Sequence, residues 1–90
     1  MVVFDVLGRR GALRILWELR RDPLSFRALQ QACETNPGSL NTRLRELREL
    51  AIIEHDNGGY RLTAAGRELA PLLMAIYDWA ELRVAETPKS

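Results

Sequence analysis

Along the 90 residues, apolar positions keep a helical period in four stretches and break into short β-prone runs in one place. The clearest helical stretch is 36–50, where Leu40, Leu44, Leu47 and Leu50 recur at the spacing of one helix face. Asn36 is a strong N-cap type, and Pro37 suits the first helical position. The face opposite the leucines carries Gly38, Thr42, Arg45 and Glu49, with Ser39, Asn41, Arg43 and Glu46 on the flanks. A solvated surface helix more often shows Glu and Lys from its first turn. Small polar residues followed by arginines suit a helix that enters a nucleic-acid groove, where close approach and hydrogen-bonding side chains are both needed. This stretch alone leaves both readings open.

The flanking elements narrow the choice. Residues 11–21 read as a helix with a wide apolar face of Ala12, Leu13, Ile15, Leu16, Trp17 and Leu19. Arg20 and Arg21 suit its last turn, and Asp22-Pro23 stops it. Leu24 stands alone before Ser25, which caps a helix over 26–33 with Phe26, Leu29, Ala32 and Cys33 on one face. Two short helices joined by a short polar turn form a helix-turn-helix pattern. After Leu50 the runs 52–56 and 60–63 read as strands around Asn57-Gly58-Gly59. The Asn-Gly pair predicts a type I′ hairpin, which needs positive φ at both central residues. The fold class that follows is mainly α with a small β-hairpin, a winged helix-turn-helix.

Thr63 caps a final helix over 64–85, where Leu69, Leu72, Leu73, Ile76, Trp79 and Ala80 follow helical spacing. Pro71 inside it removes one hydrogen bond and is expected to bend it. This helix outruns what so small a domain can cover. Its apolar stripe, joined by Phe4 of the apolar segment 1–7, is expected to link two copies of the chain. The expected dimer interface is Phe4, Leu69, Leu72, Leu73, Ile76, Tyr77 and Trp79. Residues 1–85 form one domain in this reading, and 86–90 a disordered tail.

Composition adds less than charge placement. The apolar fraction of 47% suits a globular chain, and no apolar run reaches membrane-spanning length, so the expected location is the cytoplasm, with no membrane partner. The formal charge is only +1, yet residues 1–45 carry eight arginines against four acids, whereas residues 46–90 carry five bases against eight acids. Such a dipolar chain suits one face meeting a polyanion. Cys33 is the sole cysteine and fits a small apolar group in the core. His55, Glu54 and Asp56 do not make a metal set, because adjacent strand residues face opposite ways. No phosphate-cradling loop, zinc spacing or nucleophile motif is present, so neither an enzyme nor a cofactor is expected.

Several segments together resemble the HxlR-type winged-helix transcription regulators, relatives of the MarR group. They are Leu7-Gly8-Arg9-Arg10, Ile15-Leu16-Trp17-Glu18-Leu19, Phe26-Arg27-Ala28-Leu29, the run from Asn36-Pro37 to Arg43-Leu44-Arg45-Glu46-Leu47, and Tyr60-x-Leu62-Thr63-x-x-Gly66-x-x-Leu69 with Pro71. The resemblance spans about residues 7–83. It implies binding of double-stranded DNA by a homodimer on a pseudo-palindromic site, with repression the expected outcome. Two departures matter: the wing tip is only Asn57-Gly58-Gly59, and the cysteine many members carry near the N-terminus is missing, so oxidant sensing is not implied.

Ser39, Asn41, Thr42 and Arg45 are the expected base-reading residues, with Arg45 suited to guanine O6 and N7 and Asn41 to adenine. Ser25, Arg27, Arg43 and Arg61 are the expected phosphate contacts, with plain capping an equal account of Ser25, a structural partner an alternative for Arg43 and a solvated strand arginine one for Arg61. The competing class is a winged-helix protein-interaction module with little or no specific DNA binding, which the short wing and modest charge favour.

Overall fold

The computed structural model describes residues 11–86, with side chains described as far as Arg83. The elements run α1 (Ala12–Glu18), α2 (Phe26–Cys33), α3 (Pro37–Glu49), β1 (Ile53–Asp56), β2 (Gly59–Leu62) and α4 (Ala64–Glu86). Phe4 and the segment 1–7 lie outside the described residues, as does the expected tail except for Glu86, the last residue of α4.

Local signals place most of these elements. The Ser25 hydroxyl accepts from the Ala28 N–H at 3.1 Å and starts α2. The Asn36 side chain accepts from the Ser39 N–H at 2.8 Å and starts α3, with Pro37 at its first position. The Thr63 hydroxyl accepts from the Gly66 N–H at 3.1 Å at the head of α4, and its own N–H donates to the Ile52 carbonyl. Each cap satisfies a backbone donor that the first helical turn leaves open. Helix α3 ends in a turn where the Ala51 N–H donates to the Arg48 carbonyl and the Ile52 N–H to that of Leu47. This is the Schellman pattern, with Ala51 at φ +57° in the position glycine usually takes.

The core is one cluster. Ile15, Leu16 and Leu19 of the α1 region meet Leu29 of α2, Leu40, Leu44 and Leu47 of α3, and Ile53, Tyr60 and Leu62 of the hairpin. Ala70 closes it from α4, with Leu69, Leu73 and Met74 half-buried beside it. The hairpin pairs Ile53 with Leu62, Glu54 with Arg61, His55 with Tyr60 and Asp56 with Gly59. Period-2 alternation therefore turns Ile53, Tyr60 and Leu62 inward and Glu54, Asp56 and Arg61 outward.

Four expectations are corrected. Helix α1 ends at Glu18 rather than Arg21, with Arg20 and Arg21 in the bend beyond it. Trp17 is not part of the core face: it is 43% exposed, with the Arg20 guanidinium 3.6 Å from its ring centroid. Leu24 is not a bare connector. Its N–H and carbonyl both bond to Tyr60, at 2.9 and 2.8 Å, so it forms a third, one-residue strand beside β2. The hairpin turn is not type I′, because neither Asn57 nor Gly58 has positive φ; Gly59 does, at +107°. A Cβ at Gly59 would stand 2.7 Å from the Leu24 carbonyl oxygen, so the Leu24 bridge explains the glycine there. A Cβ at Gly66 would stand 2.1 Å from the Ile52 oxygen, which lets α4 start directly against the end of the wing.

Helix α4 runs unbroken through Pro71. No helix of the described residues is long and apolar enough to cross a membrane.

Candidate nucleic-acid interface

The three leucines of α3 are at most 1% exposed and fix which side of the helix faces outward. Ser39, Asn41 and Arg45 are exposed on that outer side, and Thr42 is half-buried. The Thr42 hydroxyl donates to the Gly38 carbonyl at 3.0 Å, so it offers a partner its acceptor lone pairs and methyl group but not its hydrogen. Gly38 is exposed in the first turn, and a Cβ there would meet only Asn36 Oδ1, at 3.4 Å. The fold does not require a glycine at this point, although glycine weakens a helix relative to alanine. Its effect is to leave backbone bare where α3 begins.

The arginines separate into two groups. Arg43 is held by Glu46 one turn along the same helix, and both side chains are mostly buried, at 20% and 16% exposure. Arg61 is held by Glu54 at 3.0 Å and by Asp56. Arg14 pairs with Glu18 at 2.7 Å and also donates to the Ala32 carbonyl. By contrast Arg27, Arg45 and Arg48 are exposed, with no ion-pair partner among the described residues. An unpaired guanidinium can meet a phosphate or a guanine edge without first breaking an existing bond. Ser25 and Arg27 sit at the N-terminus of α2, Ser25 exposed and already capping.

Of the expected contacts, Ser39, Asn41 and Arg45 are therefore exposed, while Arg43 and Arg61 have their charge engaged within the protein. Arg48 is the residue the sequence reading passed over. It continues the Asn41–Arg45 row at helical spacing, and that spacing was the signal available for it.

Elsewhere, Cys33 is half-buried and lines a cleft between the start of α1, the end of α2 and the first turns of α3. Burial pushes its thiol pKa up, and nearby Glu18 pushes the same way, so it stays protonated at neutral pH. His55 lies stacked on Tyr60 at 4.0 Å between ring centroids. Of the expected dimer residues, Leu72, Ile76, Tyr77 and Trp79 are exposed, whereas Leu69 and Leu73 pack against their own core. Leu82, 62% exposed, belongs with the first group and was not foreseen.

The fold is shared with known proteins. The HxlR-like helix-turn-helix family model matches residues 6–88. An uncharacterised HTH-type transcriptional regulator of Methanocaldococcus jannaschii is 30% identical over 95 residues, which take in 99% of this chain and 90% of that protein. Quinone-bound YodB from B. subtilis superposes with a TM-score of 0.80 at 27% identity, covering 89% of this chain and 92% of YodB. The MarR family protein Rv2887 of Mycobacterium tuberculosis does so at 0.78 and 28%, covering 92% of this chain and 67% of that one.

Proposed function

The chain belongs to the HxlR-like helix-turn-helix family, and from that premise we propose that it is a sequence-specific repressor, binding a pseudo-palindromic duplex as a homodimer in the cytoplasm. The observation that carries this reading is the outer face of α3. There Ser39, Asn41 and Arg45 stand exposed, with Arg45 and Arg48 unpaired among the described residues, on a helix anchored by three buried leucines. Asn41 and Arg45 have the donor and acceptor geometry for adenine and guanine edges in a major groove, and Thr42 offers a methyl group and an acceptor. Ser25, Arg27 and Arg48 are the proposed backbone contacts, which set the register of the helix on the duplex.

Dimerisation is supported by the apolar stripe of Leu72, Ile76 and Trp79 on α4, each more than 60% exposed. Contiguous apolar surface of this kind marks an interface in a small protein. A twofold dimer presents two copies of α3 and hence reads a symmetric site. Ile76→Asp is expected to shift the sedimentation coefficient from dimer to monomer.

The test is selection of bound fragments from sheared host genomic DNA at two salt concentrations. One palindromic site enriched at the higher salt supports the reading. Diffuse recovery that disappears with salt means phosphate attraction alone and favours the protein-interaction alternative.

A further inference from the structure

The wing already satisfies its own cation. The hairpin register sets Glu54 directly opposite Arg61, and Asp56 two residues further along the same face. Arg61 Nε donates to Glu54 Oε1 at 3.0 Å, and Nη2 donates to Asp56 Oδ2. Asp56 is itself fixed, because its Oδ1 accepts the Gly58 N–H at 2.8 Å across the turn. Arg61 is the only Lys or Arg in residues 53–62, against Glu54 and Asp56, so the hairpin's formal charge is negative. Strand β1 follows α3 and packs against it, which puts this charge beside the proposed recognition helix.

We propose that Glu54 and Asp56 form a carboxylate clamp that withholds Arg61 from DNA and makes the wing an electrostatic restraint on binding. A phosphate must compete for Arg61 with two carboxylates already in hydrogen-bonding position, and it meets their residual repulsion as it approaches. The restraint acts equally on every sequence. It lowers affinity for all duplexes alike and leaves discrimination between them to the base contacts of α3. The inference rests on the DNA-binding reading above.

Glu54→Gln with Asp56→Asn tests it. Both changes keep side-chain shape, and the amide oxygen at position 56 still accepts from the Gly58 N–H. Binding of the full chain is followed by fluorescence anisotropy on a random-sequence duplex and on the selected site, across a salt series. The double variant is expected to bind random duplex and the selected site several-fold tighter alike, to steepen the logarithmic salt slope by about one for the phosphate gained, and to leave the ratio of specific to random affinity unchanged. Adding Arg61→Ala is expected to abolish the gain. Unchanged affinity in the double variant, or a gain that survives Arg61→Ala, overturns the clamp. If melting shows the double variant unfolded, Glu54→Gln alone gives the same reading with a smaller gain, and no gain there overturns it equally. A wild-type chain that binds no duplex sinks the DNA reading itself. Wild-type binding beside an unresponsive variant sinks only the clamp.

Discussion

Helix α3 and the hairpin behind it both present arginine to solvent, and they do opposite things with it. On α3, Arg45 and Arg48 stand clear of any carboxylate among the described residues, although Glu49 lies four positions after Arg45. On the hairpin, Arg61 is caught by Glu54 across the ladder and by Asp56 on the diagonal. A strand pair sets opposing side chains close together and holds them there by register. A helix leaves a long exposed arginine free to extend into water or a ligand, since an exposed i,i+4 pair is worth only a few tenths of a kcal/mol. The exposed arginines of α3 are thus available and that of the hairpin is engaged, whereas Arg43, on the same helix but nearer the core, is held by Glu46.

The most drastic way to break this contrast is to remove the platform both elements stand on. Leu44 is 1% exposed at the centre of the α3 contact, so Leu44→Ala is expected to cost about 2–5 kcal/mol of folding stability, read by urea denaturation. Arg45→Ala tests the open side alone. It is expected to cost about 1–3 kcal/mol of binding to the selected site and to relax preference at one base pair. A loss equal on all duplexes would instead mark Arg45 as a phosphate contact.

Gly38→Ala separates binding from folding. Alanine is expected to raise helix stability by a few tenths to about 1 kcal/mol while weakening DNA binding, because a methyl group then stands where α3 meets the groove. Binding that improves along with stability would remove the close-approach role of Gly38. The smallest effect concerns the clamp. Its hydrogen bond to Arg61, helped by the Gly58 N–H, holds Asp56 below the usual carboxylate range. A carboxylate with a depressed folded pKa adds stability that is full above its unfolded value, about 3.9, and fades as pH falls through the folded value. Wild type and Asp56→Asn are therefore expected to differ slightly in urea midpoint at pH 7 and to converge in strong acid.

The candidate site was partly legible in the chain. The leucine row of α3 named its buried face, and what lay opposite had to be the outer face. Asn36-Pro37, Ser25 and Thr63 marked three helix starts because a cap acts within three residues of itself. Which arginines are open was not legible. Arg43 carries an acid three positions on, and Arg45 carries one four positions on, yet only the first pair forms. Arg43 lies toward the core, where its charge is costly without a partner, whereas Arg45 keeps its hydration.

The sequence by itself determined the order and type of the main elements, the winged helix-turn-helix class and the buried faces of α2 and α3, since periodicity and capping are short-range and written in neighbouring residues. Only the tertiary structure decided that Leu24 pairs with Tyr60, that positive φ falls on Gly59, that Trp17 turns outward beneath Arg20, and that Arg61 is spent within the wing. The physical reason is that each of these depends on strand register, or on where a helix stops against its neighbours. Those relations come into being only once strands have paired and helices have packed.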